Sequence, residues 1–150
     1  MQSKRLVRFY DEHCSRTITQ IADCENTLNM LNDKLQDIFE QSSEMQQQQK
    51  QLWQDYLGAT LTQKDLYLLK RKEALILSYY EELQLQVQET KLFIEESLET
   101  RNQLYKLRLH YGKKKNKWEW MLERDRKLRI RKDIHKDGQA AEECVTWINQ

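Results

Sequence analysis

The sequence predicts an all-α protein that folds as a long antiparallel two-helix coiled coil, a helical hairpin. Its 150 residues include no Pro and only three Gly, which leaves few residues for the many turns that a sheet fold needs. Only 39% of the residues are hydrophobic and 33% are charged. Such a composition does not supply a broad core, but it is sufficient for helices that bury one narrow apolar stripe.

The first helix is predicted over about residues 3–57 from a heptad pattern. Steps of three and four residues select fifteen positions from Val7 to Tyr56, and twelve of these are apolar. This spacing is typical of a left-handed coiled coil with a partner helix. The fifteen positions are Val7, Tyr10, Cys14, Thr17, Ile21, Cys24, Leu28, Leu31, Leu35, Ile38, Ser42, Met45, Gln49, Leu52 and Tyr56.

A short turn is predicted over residues 58–62. Gly58 suits the position after a helix because glycine accepts a positive φ. Thr62 is a good N-cap for the next helix, and Asp65 follows where the helix dipole favours a negative charge. A link of this length joins antiparallel neighbours in a helical hairpin.

The second helix is predicted over about residues 63–137, with Gly138 as its stop and a short tail over 138–150. Its spacing is regular from Leu66 to Ile94. Beyond Leu98 two apolar series compete, and an eleven-residue step between them predicts a locally straightened supercoil. Gly112 is either a pivot or an interior residue, and no Pro or capping pair accompanies it, which favours a continuous helix. One series contains Tyr105 and Leu109, and the other contains Leu104, Tyr111 and Trp118.

Folding the chain at this turn places residue i opposite about residue 120 − i. Residue 3 then lies beside about residue 117, so we expect residues 118–137 to extend past the first helix without an intramolecular partner. Trp118 is expected to cap the core from its heptad position.

The sequence offers little support for catalysis. It contains no phosphate-binding glycine motif and no G-x-S-x-G, and His13, His110 and His135 show no metal-binding spacing. Cys14, Cys24 and Cys144 match no CxxC motif, so we interpret them as small apolar residues in a reducing compartment. We therefore predict a protein that is not an enzyme and has no cofactor or metal. No signal peptide or transmembrane segment is recognisable, which favours the cytoplasm.

The charges are segregated along the chain. Residues 106–136 contain 13 Lys and Arg and 4 Asp and Glu, a net charge of +9, while the other residues carry a net −8. This basic stretch also contains Trp118 and Trp120, a type enriched in binding hot spots. A nucleic-acid helix, a membrane-surface helix, a segment that inserts into a protein socket and a merely solvated helix end are the competing interpretations. We rank the socket first and the solvated end second, because basic zippers place the basic region before the heptads and the apolar residues form no broad face.

Two segments carry a resemblance to a known family. The stretch Leu61-Thr-Gln-Lys-Asp-Leu-Tyr-Leu-Leu-Lys-Arg-Lys and the stretch Tyr111-Gly-Lys-Lys-Lys-Asn-Lys-Trp-Glu-Trp-Met-Leu-Glu-Arg resemble the central stalk proteins of bacterial type III secretion systems. This is the family of YscO and of flagellar FliJ, and the InvI branch of injectisomes is the most similar. The resemblance covers about residues 60–137, whereas the first helix agrees in pattern and length.

The resemblance implies a non-enzymatic stalk of the virulence-associated secretion machinery. Its terminal end would enter the hexameric secretion ATPase, and its hairpin end would reach the cytoplasmic domain of the export gate. Export chaperones are further expected partners, nucleic acid is not, and the expected location is cytoplasmic and peripheral at the inner-membrane machinery. The alternative is a coiled-coil scaffold or tether without an ATPase partner. The ATPase-binding candidates are Trp120, Arg124, Arg126, Lys127, Arg129, Arg131 and Lys132, and the export-gate candidates are Leu61 and Tyr67.

Overall fold

The computed structural model describes residues 2–58 and 60–149 and contains two long helices, α1 (Gln2–Gln54) and α2 (Gln63–Ile148). The described residues include no strand. The two helices pack against each other as an all-α helical hairpin, as the sequence predicts. None of the described helices has a stretch that is both long and apolar enough to cross a membrane.

The chain divides into two compact units. One unit contains residues 2–20 of α1 with residues 104–149 of α2, and the other contains residues 21–103, apart from Ala59. In the second unit the core is formed by Ile38, Leu83 and Val87, with Leu35 and Met45 packed against it. Each unit therefore contains a segment of both helices.

The heptad seam predicted for α1 is confirmed at every position. All fifteen residues from Val7 to Tyr56 are buried or half-buried, including the three polar ones. The buried hydroxyl of Thr17 is satisfied locally, because it donates a hydrogen bond of 2.7 Å to the His13 carbonyl one turn back. Ser42 is also buried, and its hydroxyl has no hydrogen-bond partner among the described residues.

Pairs across the two helices agree with an antiparallel register. In the unit of residues 21–103, Cys24 Sγ lies 3.1 Å from the Ser97 carbonyl oxygen and Gln46 Nε2 lies 3.2 Å from the Tyr80 hydroxyl. In the other unit, the rings of Tyr10 and Tyr111 are 6.3 Å apart between centroids. The paired residue numbers add up to between 121 and 126, close to the predicted 120.

The seam of α2 corrects the prediction of an eleven-residue step. Buried or half-buried residues continue in steps of three and four from Leu69 to Asp125, apart from the exposed Arg108. The series with Leu104, Tyr111 and Trp118 is the seam, while Tyr105 and Leu109 are exposed. The prediction was wrong because it required apolar residues, whereas this part of the seam includes the polar residues Ser97, Arg101, Lys115 and Asp125.

The turn contains the two predicted conformational signals. Gly58 has a φ of 77°, and the backbone N–H of Asp65 donates a 3.2 Å hydrogen bond to the Thr62 hydroxyl, which makes Thr62 the N-cap. The first helix ends at Gln54, not at residue 57, because Tyr56 and Leu57 donate to carbonyls three residues back and so tighten the last turn. Ala59, within the predicted turn, lies outside the described residues.

The end of α2 differs from the prediction. The helix passes through Gly112, as favoured, but it also passes through Gly138 and ends at Ile148, not at 137. A glycine in a helix interior costs only about 1 kcal/mol relative to alanine. The residues that follow Gly138 are Gln139, Ala140, Ala141, Glu142 and Glu143, all good helix formers. The predicted tail 138–150 is therefore helical over its described residues to Ile148, and Gln150 lies outside them.

Truncation of the seam should destabilise the protein where truncation of the outer surface does not. Leu83 is only 1% exposed, whereas Leu85 on the same helix is 62% exposed. We expect Leu83→Ala to lower the free energy of unfolding by about 2–5 kcal/mol, because it removes buried methyl groups and leaves a cavity. The matched control Leu85→Ala should change it by less than about 0.5 kcal/mol. Urea unfolding followed by circular dichroism measures both, and equal losses would contradict the assigned register.

An ion pair joins the start of α1 to α2 and predicts a pH dependence. Lys115 Nζ lies 2.8 Å from Asp11 Oδ1, and this hydrogen bond and charge raise the pKa of Lys115 above its ordinary value. A raised lysine pKa means that the pair stabilises the fold at neutral pH and that this contribution is lost as the pH rises through the raised value.

We therefore expect Asp11→Asn to lower the melting temperature slightly at neutral pH and to have no effect once Lys115 is deprotonated. Both groups are exposed enough for solvent screening, so the effect is small. Thermal unfolding across this pH range measures it, with Asp33→Asn as a control at an exposed carboxylate of the same helix. A difference that persists at high pH would show that Asp11 acts through something other than Lys115.

Candidate functional site

The end of α2 from Trp120 onward, called the basic end because of its cations between Arg124 and Lys136, is largely exposed. From Arg126 to Asn149 every described residue is exposed, around the full circumference of the helix. The cations in this segment are therefore displayed in several directions. At about 100° per residue, Arg124, Lys127 and Arg131 lie within about 60° of one another, Arg126 and Arg129 lie on the other side, and Lys132 lies between these groups.

One set of candidates converges on the Trp120 ring. A shallow groove of about 270 Å³ is lined by Trp120, Arg124, Lys127, Leu128 and Arg131. The Arg124 guanidinium carbon lies 5.8 Å from the centre of the Trp120 ring, within the range of a cation–π contact. Trp120 is 63% exposed, so an apolar surface and three cations are presented together to a partner.

A second groove lies on the opposite face. It has a volume of about 170 Å³ and is lined by Leu122, Asp125, Arg126, Arg129 and Ile130. Arg126 Nη1 is 4.0 Å from Glu123 Oε2, a long contact between exposed groups that contributes little to stability. The structure therefore separates five of the predicted cations into two grooves, one with Arg124, Lys127 and Arg131 and one with Arg126 and Arg129, while Lys132 lines neither.

The two tryptophans occupy different environments. Trp118 is half-buried on the seam, as its heptad position predicts, and Lys117 Nζ lies 5.8 Å from the centre of its ring. Trp120, two residues along the helix, is on the outer side. Residues two apart on a helix lie about 200° apart around its axis, so only one of the two tryptophans can lie on the seam.

An aromatic cluster surrounds the start of α1. The His13 ring lies 4.1 Å from the Phe9 ring and 5.3 Å from the Tyr111 ring. His13 Nδ1 is 2.9 Å from the Phe9 carbonyl oxygen, so its Nδ1–H donates to the backbone. His13 therefore packs beside the seam, in agreement with its heptad-flanking position.

The hairpin end presents apolar side chains, which belong to the second unit. Tyr67 is 66% exposed, whereas Leu61 is half-buried. The sequence also suggests that Leu66 and Leu69 close the turn, and only Leu69 is buried while Leu66 is exposed. Leu57 and Leu68, which lie outside the predicted seam positions, are exposed as well.

These surfaces are suited to binding. Each groove is open to solvent and lined by exposed side chains, so neither removes a reacting group from water. The described residues contain no group of three or more His, Cys, Asp or Glu that could hold a metal ion.

Comparisons with protein-family models, with curated proteins and with solved structures found no match to this chain.

Proposed function

We propose that the protein is a non-enzymatic central stalk of a bacterial type III secretion system. In this proposal the basic end of α2 inserts into the hexameric secretion ATPase, and the hairpin end contacts the cytoplasmic domain of the export gate. The protein would act in the cytoplasm at the inner-membrane machinery and handle export chaperones there. The two resembling segments and the hairpin fold support this function.

The observation that carries the proposal is the exposure of the basic end. A ring of similar subunits presents its walls from several directions at once, and a helix with cations on several sides can meet them without one fixed pairing. Exposed ion pairs contribute about 0.2–1 kcal/mol each, so the contact would be adaptable and cooperative. Trp120 adds a large apolar side chain of the kind that dominates binding interfaces.

The hairpin end supports the second contact. Its exposed Tyr67 and Leu57 are not needed by the seam, and an exposed aromatic residue is a common anchor for a partner. Because the two contact surfaces belong to different units, loss of one is expected to leave the other intact.

Neutralising the basic end should weaken ATPase binding without unfolding the helix. We expect the quadruple change of Arg124, Arg126, Arg129 and Arg131 to Gln to weaken binding by about fourfold to several hundredfold, since each cation contributes about 0.2–1 kcal/mol. The residual binding should also depend less on salt. Calorimetry with the purified ATPase and the stimulated rate of ATP hydrolysis are the measurements.

A matched control removes four cations from the other end of α2. Lys64, Lys70, Arg71 and Lys72 are all exposed, and their change to Gln lowers the net charge equally. This control should bind the ATPase normally. Normal binding by the Arg variant would mean that the basic end is only a solvated helix terminus, and absence of ATPase binding by the unmodified protein would favour the scaffold or tether.

The export-gate contact has its own test. We expect Tyr67→Ala to weaken binding to the purified gate domain severalfold, since it removes a largely exposed ring, and to leave the melting temperature unchanged. Tyr79→Ala, at an exposed tyrosine farther along α2, is the control and should bind normally. A parallel loss of stability and binding would show instead that Tyr67 supports the fold.

A further inference from the structure

The end of α2 has a second apolar stripe that is separate from the seam. Its large side chains are well exposed: Trp120 63%, Ile134 65%, Val145 57% and Ile148 82%. Steps of three and four residues connect them through Glu123, Lys127, Ile130, Gly138 and Ala141, so the stripe also includes two charged residues and a glycine. At about 100° per residue this outer stripe lies within an arc of about 80°, centred about 140° from the seam residues of the same helix.

The width of the outer stripe indicates the class of partner. A membrane-surface helix buries a large apolar face in the headgroup region. A stripe confined to every third and fourth residue is the narrow pattern that packs against another helix. The outer stripe therefore fits a helix, and its distance around α2 leaves the contact with α1 undisturbed.

The charges along the same segment indicate which helix is the partner of the outer stripe. Residues 120–136 contain seven Lys and Arg and three Asp and Glu, whereas residues 137–149 contain three Asp and Glu and no Lys or Arg. The first half therefore carries a net +4 and the second half a net −3. A segment with this asymmetry is complementary to itself only when two copies run antiparallel.

We propose that two copies of the chain associate through the outer stripes of α2, antiparallel and centred on Ile134. The two-fold axis then passes between Ile134 of one copy and Ile134 of the second copy. Residues whose numbers add up to about 268 face each other, which places Trp120 opposite Ile148 and Lys127 opposite Ala141. At the edge of the stripe, Arg124 faces Glu142 of the second copy, and the symmetry repeats this pair.

The association is weak and concentration-dependent. Five large apolar residues per copy contribute, and the charged Glu123 and Lys127 interrupt them. The methylene stem of Lys127 can cover Ala141 while its charge reaches water, whereas Glu123 faces Val145 of the second copy and weakens the contact. The two Arg124–Glu142 pairs set the antiparallel direction, since a parallel pair would bring the like-charged halves together.

The outer stripe shares Trp120 and Arg124 with the groove proposed to meet the ATPase. The self-associated form would therefore hide this groove until a ring displaces the second copy. This consequence rests on the proposed function, whereas the association itself does not.

Sedimentation of the isolated full chain over a range of concentrations tests the association without any ATPase. We expect a reversible monomer–dimer equilibrium whose dissociation constant rises by about tenfold or more in Ile134→Asp, which places two carboxylates at the two-fold axis. Trp147→Asp is the matched control, because Trp147 is exposed at 80% but lies off the stripe. Circular dichroism should be unchanged in both variants.

A charge exchange tests the register. Arg124→Glu and Glu142→Arg should each weaken the dimer, and the double variant should restore it because the facing pair is re-formed with the signs reversed. A monomer at all concentrations, a dimer insensitive to Ile134→Asp, or a double variant no better than either single one would overturn the proposal. Monomers that bind anionic vesicles through Trp120 would assign the outer stripe to a membrane surface instead.

Discussion

The structure depends on one narrow seam of heptad positions shared by two helices. Neither helix can bury its apolar residues alone. On each helix the residues that pack against the other recur every three and four positions. The described residues buried most completely are Leu69, Leu83 and Thr90, all on α2. Because so little of each helix is buried, the remaining surface is available for charged residues.

Polar residues within the seam are accommodated by hydrogen bonds to a backbone carbonyl one turn away or by an ion pair. The Thr90 hydroxyl donates a 2.7 Å hydrogen bond to the Gln86 carbonyl, the same device that Thr17 uses on α1. Lys115 instead reaches across to Asp11, and its charge stays close to water at the edge of the seam. A coiled coil tolerates such residues because a side chain near the edge of a narrow seam can reach solvent or a backbone carbonyl within one turn.

This tolerance explains how much of the fold could be predicted from the sequence. The seam of α1 was predictable at all fifteen positions because twelve of them are apolar. The seam of α2 beyond Leu98 was not, since polar residues such as Arg101 and Lys115 hold seam positions while the apolar Tyr105 and Leu109 lie outside. The prediction that α2 stops at Gly138 was wrong for a related reason. Glycine ends a helix only when the following residues cannot continue it, and here they can.

The candidate site was predictable in composition but not in arrangement. A run of cations near two tryptophans is visible in the sequence, but its division into one groove with Arg124, Lys127 and Arg131 and another with Arg126 and Arg129 depends on an unbroken helix over residues 120–131.

The separation between the seam and the outer surfaces has a consequence for function. Trp120, Arg124 and Ile134 are largely exposed, so their burial by a partner adds free energy of binding without removing any contact that holds α1 to α2. The residues that stabilise the hairpin and those proposed to bind partners thus lie on different faces of one helix. A partner bound to the outer face can dissociate without loosening the hairpin, as the proposed exchange of a second copy for the ATPase requires.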